Sequence, residues 1–184
     1  MSSSTPSERA ARFVEALRRA QKDRGRMASL RRGLSSATVM DAWPIVAGLG
    51  GQIGQPGESV HLDIAALFAT HPQESGARNF GETCRQIAVA GSSESKPSES
   101  DERRFRRLLA CDRAEDLVGQ LRTWVRLAAS KGVGINYAGL FDDLSWWNNS
   151  SDRIRVRWAR AFWQALPESH VDSETVTQPQ SVNP

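Results

Sequence analysis

The chain has 184 residues, 39% of them hydrophobic, which is enough for one packed domain or for two small lobes sharing a core. It lacks the run of about 18 apolar residues that a membrane span needs, and its start, MSSSTPSERAARF, lacks the apolar stretch of a secretion signal. Net charge is +3, but Glu168, Asp172 and Glu174 follow Leu166 with no Lys or Arg, so the positive charge is concentrated upstream.

Of the 24 basic residues only Lys22, Lys96 and Lys131 are lysines. Arginine's planar fork suits phosphates and stacked bases better than lysine's point charge does. GC-rich codon usage gives the same ratio, so the placement of the arginines carries the information. Cys84 and Cys111 read as two buried thiols in a reducing cytoplasm.

Helix signals recur in chain order, and no segment alternates with the period of a strand. Thr5-Pro6-Ser7-Glu8 reads as a capping box, followed by an Ala10, Phe13, Val14, Leu17 stripe. Asp23-Arg24-Gly25 breaks the chain before a short helix with Met27, Leu30 and Leu34. Residues 36–47 read as helix up to Ala42-Trp43-Pro44, where the proline restricts Trp43. A glycine-rich loop, Gly48 to Gly57, leads to a helix near 59–69, and another helix follows Asn79.

Ala90 to Glu99 has the composition of a linker. Beyond it, Ser100 opens a helix carrying Phe105, Leu108 and Leu109. Asp112 with Glu115 forms a second capping box, and Lys131-Gly132 closes that helix. Asn136 and Asp152 cap two further helices. The expected architecture is all-α, a compact bundle of about eight or nine short helices in two lobes. The lobes are residues 1–90 and 100–166, joined by a linker at 91–99 and followed by a disordered tail at 167–184.

The faces opposite the apolar stripes carry the functional signal. Arg103, Arg106 and Arg107 fall within about 100° of one another, opposite Phe105, Leu108 and Leu109. Arg153, Arg157 and Arg160 share a face of the last helix, Arg122 and Arg126 sit one turn apart, and Arg24, Arg26, Arg31 and Arg32 surround a short helix. Like charges one turn apart repel, so their repetition calls for an anionic partner. Asp101, Glu102 and Asp152 sit at helix starts, where they answer the dipole and leave the arginine faces unbalanced. Arg12, Arg18 and Arg19, with Glu8 and Glu15 one turn away, read as ordinary surface pairs. Trp43, Trp124, Trp147 and Trp158 read as core; Trp146 and Trp163 lie off their stripes and fit packing against a neighbour or base stacking.

Catalytic chemistry finds no constellation. His61, His71 and His170 lack metal-ligand spacing, and the His61–Asp63 pair is isolated. The Gly48–Gly57 loop lacks the strand before it and the Lys-Ser/Thr ending of a phosphate cradle. Asp142-Asp143 has no third ligand nearby, and the Asn148-Asn149-Ser150 sequon has no meaning in a cytoplasm. Neither a metal nor a cofactor is expected.

Several segments in fixed order resemble the CasB family. They are LRRG at Leu30–Gly33, AWP at Ala42–Pro44, ALFATHP at Ala66–Pro72 and NFG at Asn79–Gly81. SESDERRFRRLLACDRAEDL at Ser98–Leu117, SKGVGINYAGL at Ser130–Leu140 and RWARAFW at Arg157–Trp163 continue the series. The family is the small subunit of the type I-E CRISPR Cascade effector, and the resemblance covers roughly residues 8–166.

The resemblance implies an all-α, non-catalytic protein that packs with a second copy of itself and with other Cascade subunits. It also implies contact with guide RNA, target DNA and the displaced non-target strand, without sequence reading. Family basic positions fall on Arg31, Arg103, Arg104, Arg107, Arg113, Arg122 and Arg157, of which Arg113 also fits a structural role between Asp112 and Asp116. Residue pattern and resemblance together nominate Arg31, Arg32, Arg103, Arg104, Arg107, Arg122, Arg126 and Arg157 as the nucleic-acid contacts. The sequence departs from the family's frequent W-D/E-x-P at Trp147-Asn148-Asn149-Ser150-Ser151, and it carries Val156 where a polar residue is common. Two other readings stay open: a helical DNA-binding regulator, and a structural subunit whose arginines meet acidic partner proteins.

Overall fold

The computed structural model describes residues 7–33, 35, 37–55, 57–92 and 96–164. Its helices are α1 (Glu8–Ala20), α2 (Arg24–Arg32), α3 (Trp43–Gly48), α4 (Glu58–Thr70), α5 (Phe80–Val89), α6 (Glu99–Leu109), α7 (Ala114–Lys131) and α8 (Tyr137–Trp163). A 3₁₀ turn at Val39–Asp41 precedes α3. Among the described residues there is no strand, only an isolated parallel bridge between Glu74 and Ile135. The all-α expectation holds.

The helix starts show where tertiary contacts override local signals. Ser7 caps α1 by accepting from the Ala10 amide. The expected cap, Thr5 with Pro6, lies outside the described residues, as does Leu34. Ser7 is held from across the fold, because its amide and hydroxyl each donate to an Asp142 carboxylate oxygen at 2.6 Å. Pro44 opens α3 instead of ending a helix over 36–47: a proline in the first turn gives up an amide that has no intrahelical partner there. Ser98, not Ser100, caps α6 by accepting from the Asp101 amide.

The Asp112–Glu115 box does not form. The Ala114 amide, the first of α7, donates to Asn148 Oδ1 of α8 at 2.9 Å, while Asp112 turns to Arg155 at 3.0 Å. Gly132 closes α7 with φ +66°, and Asn136 caps α8, both as expected. The two C-terminal helices are one element with a break at Ser150 (φ −145°, ψ 27°), and Asp152 pairs with Arg155. The break falls where the sequence leaves the family's tryptophan–acid–proline pattern.

The buried apolar side chains form one cluster drawn from both sides of residues 91–99. Phe13 and Leu17 of α1, Ile64 and Phe68 of α4, Ile87 of α5, Phe105 of α6 and Trp124 of α7 all belong to it. So do Tyr137, Phe141, Trp147, Trp158 and Phe162, which make α8 the spine of the molecule. Trp43 is half-buried at the margin, and Cys111 is half-exposed, so only Cys84 is the buried thiol expected of both.

The closest approach is between α5 and α8. A Cβ on Gly81 would lie 2.1 Å from the Trp158 carbonyl oxygen, so only glycine lets the two backbones meet. Gly81→Ala should therefore lower stability by about 3 kcal/mol or more, the upper range of overpacking a close-packed site. Urea melts would check it; an unchanged midpoint would mean that α5 and α8 can slide apart without loss.

Candidate nucleic-acid interface

Helix α7 buries Leu117, Leu121, Trp124, Val125 and Ala128, which leaves Arg122 and Arg126 one turn apart on the edge facing the end of α4. From the other side α2 brings Arg31, whose Nε donates to the Ala69 carbonyl at 2.9 Å. Ala69 is among the last residues of α4, where carbonyls lack intrahelical partners and the helix dipole favours a cation. A cleft of about 200 Å³ lies between Arg31, Leu67, Thr70, Arg122 and Arg126. An adjoining one of about 410 Å³ shares Arg31 and Thr70 and adds Arg24 from the start of α2.

Arg24 and Arg31 of α2 and Arg122 and Arg126 of α7 thus converge on one notch at the end of α4. Among the described residues none of the four forms an ion pair. Arg122 acts electrostatically on Asp63 of α4. Burial pushes the Asp63 carboxyl up to about 7, Glu115 adds to the rise and Arg122 opposes it. The residues lining the notch include four arginines and no Asp or Glu. Sequence reading grouped Arg24 with Arg31 around one short helix and Arg122 with Arg126 on another; it did not bring the two pairs together or give Asp63 a part.

Helix α6 behaves differently. Arg103 pairs with Glu99 at 2.7 Å, Arg104 with Asp101 at 2.7 Å, and Arg106 with Glu102 at 2.8 Å. The acids expected to serve the dipole alone thus also neutralise the arginines one turn on. Arg104 is drawn further in, its guanidinium 5.8 Å from the Trp124 ring. Arg107 is exposed and forms no ion pair among the described residues. The Arg103 and Arg106 pairs are exposed, and such pairs contribute only about 0–1 kcal/mol, so they yield readily to a phosphate.

The remaining nominees stand apart from the notch. Arg32 reaches Asp41 at 3.7 Å and Ser29 Oγ at 3.3 Å. Arg157 pairs with the buried Asp143, whose other oxygen accepts from Trp158 Nε1 at 2.7 Å. Burial pushes the Asp143 carboxyl up, and Arg157 pulls it back. That clasp spans the break at Ser150, so Arg157 has a structural task whatever else it touches. Arg153 and Arg160 are exposed and unpaired among the described residues, and Arg113 pairs with Glu115 at 3.3 Å.

Asp142, Asp143, His61 and His71, singled out in the sequence, have structural partners. Asp142 is taken by Ser7 and Asp143 by Arg157, and no group of three or more His, Cys, Asp or Glu converges among the described residues. His61 packs edge-on against Phe13 and Phe141 with Nδ1 2.9 Å from the Gly57 carbonyl, and His71 Nε2 lies 2.8 Å from the Val133 carbonyl. In the Gly48–Gly57 loop, Gly51 packs against Val46 and Phe13, so the loop covers the core. No helix among the described residues is long and apolar enough to cross a membrane.

The family model for CRISPR-associated protein Cse2 matches residues 26–163, a span that contains Arg31, Arg122 and Arg126 of the notch, α6 and the Asp143–Arg157 clasp. The chain belongs to the Cse2 family. A Cse2 protein of Thermus thermophilus is 33% identical over 111 residues, and the matched stretch is 60% of each chain. The crystal structure of CasB from Thermus thermophilus superposes with a TM-score of 0.67 at 29% identity, covering 85% of this chain and 98% of that one. At 22% identity, a chain of a CRISPR RNA-guided surveillance complex shares the fold, with a TM-score of 0.65 over 83% of this chain and 89% of that one.

The buried carboxyl of Asp63 has a thermodynamic signature. Its pKa lies above the ordinary 3.8, so the folded state holds a proton that the unfolded chain releases, and stability falls as pH rises from 3.8 toward about 7. Asp63→Asn should stabilise the protein at pH 8 by on the order of 2 kcal/mol, with the gain vanishing near pH 4. Denaturant melts at both pH values test this; a loss of stability at pH 8 would mean that Arg122 holds Asp63 more strongly than burial penalises it.

Proposed function

We propose that the chain is a non-catalytic small subunit of a type I-E CRISPR surveillance complex. It holds nucleic-acid backbone without reading sequence and so stabilises the guide RNA–target DNA R-loop in antiviral defence in the cytoplasm. Its partners in this reading are the other Cascade subunits, a second copy of itself, guide RNA, target DNA and the displaced strand. The observation that carries it is the convergence of Arg24, Arg31, Arg122 and Arg126 on one notch without acid partners among the described residues. Family membership and the fold shared with a chain of a surveillance complex support the setting.

The mechanism is phosphate clamping. Base pairing supplies sequence selection in a guided effector, so the protein needs only to fix the backbone. Arginine does this with paired donors, and Arg31 is already oriented by the Ala69 carbonyl. A few phosphate contacts give weak, salt-sensitive binding in the isolated chain, and tight function comes from avidity inside the assembly. Self-neutralised α6 favours a second reading, in which arginines exchange their intrahelical acids for those of partner proteins.

Salt dependence separates the two. Each single-strand phosphate released lowers the slope of log K against log salt by about 0.7, so Arg122→Ala with Arg126→Ala should reduce it by about 1.4 with no change in sequence preference. Titrations of single-stranded DNA between 50 and 200 mM salt measure this. An unchanged slope removes the notch as the clamp and leaves the protein-contact reading.

A further inference from the structure

The end of α8 carries a feature that phosphate clamping leaves unused. Trp163 remains 40% exposed although its ring is fixed on an aromatic wall. It meets Phe105 edge-to-face with centroids 5.2 Å apart and Phe162 at 5.3 Å, and those two rings stack on each other at 4.0 Å. The Arg106 guanidinium lies over the indole, 5.8 Å from its centroid. Beneath the indole Phe105 and Phe162 are fully buried.

Arginines surround the indole, two of them, Arg103 and Arg106, paired with Glu99 and Glu102. Arg103 lies one turn before Arg106 on α6, Arg107 follows it, and Arg160 lies one turn before Trp163 on α8. Of these, Arg107 and Arg160 form no ion pair among the described residues. An immobilised, half-exposed indole with a guanidinium on it, flanked by unpaired arginines, is the arrangement that stacks an unpaired base and anchors its phosphates. Trp146 offers the contrast: it is 59% exposed, with no ring contact or stacked arginine among the described residues.

We propose that Trp163 with Arg106 is a stacking platform for an unpaired base of a single-stranded nucleic acid, DNA or RNA, with Arg107 and Arg160 receiving the adjacent phosphates. The platform rests on the nucleic-acid reading above but is separate from the α2–α4–α7 notch. The occupant follows from the chemistry present: π faces and cations, with no donor–acceptor array that would select one base.

The test compares the full chain's affinity for a labelled oligo(dT) strand and for an abasic strand of the same length, which has the phosphates without the bases. Oligo(U) serves as the RNA arm. Base–aromatic stacking contributes about 1–3 kcal/mol, so the parent should prefer the base-bearing strand by roughly tenfold. Trp163→Leu should abolish that preference while keeping the abasic affinity and the salt slope; Trp163→Phe should keep part of it, and Trp146→Leu all of it. Loss of preference in the DNA or the RNA arm supports the platform and tells which strand occupies it.

Equal parental affinity for the two strands, or a preference that survives Trp163→Leu, overturns the platform while leaving the clamp intact. Absence of binding to any strand overturns the nucleic-acid reading itself. Melting temperatures of the variants show that a lost preference is not lost folding, and Trp163→Phe, which keeps a ring on Phe105 and Phe162, serves as the packing control.

Discussion

The contact between Gly81 of α5 and the Trp158 backbone of α8 sets the geometry on which the rest depends. Because α5 presents no side chain there, α8 can lie against it and bury Trp147, Trp158 and Phe162 in the common core. From that position α8 reaches the starts of α1 and α7. Asp142 holds the cap of α1, and Asn148 takes the first amide of α7. Arg155 grips the junction before α7 through the Cys111 carbonyl at 2.7 Å and Asp112. The start of α7 is thus fixed by α8, and the start of α7 determines where Arg122 and Arg126 meet α2 and α4.

The arginines fall into three physical situations. Arg155 and Arg157 are spent on the fold: Arg155 satisfies the part-buried Cys111 carbonyl, and Arg157 the buried Asp143 carboxylate. On α6, Arg103 and Arg106 balance acids one turn earlier, which keeps the helix stable while leaving the pairs exposed and exchangeable. In the notch guanidinium groups from separate helices gather without acids among the described residues, and there like-charge repulsion is tolerated because packing pins the backbones. Net charge of +3 conceals these differences.

Much of the architecture was legible because each amphipathic stripe lies on a helix whose buried face it predicts, as Leu117, Leu121 and Trp124 do on α7. The errors cluster where a distant residue supplies what a local one was expected to supply. Asn148 caps α7 in place of Asp112, and Ser7 is chosen as the α1 cap with help from Asp142. Of the nominated contacts, spacing along one helix could pair Arg122 with Arg126. It could not join them to Arg31, which is brought there by the packing of α2 on α4 and by the Ala69 carbonyl. Asp143 looked like one half of an acidic pair; only the fold shows it buried beneath Arg157 and Trp158.

The central claim is that nucleic-acid backbone occupies the notch in the assembled complex. Thr70 lines both halves of that notch, so a photocrosslinking amino acid placed at this position reports directly on whatever lies there. In a reconstituted complex carrying guide RNA and target DNA, irradiation should join position 70 to a nucleic-acid strand at many base identities. Crosslinks to protein subunits alone would contradict the account and make the notch a protein-docking site.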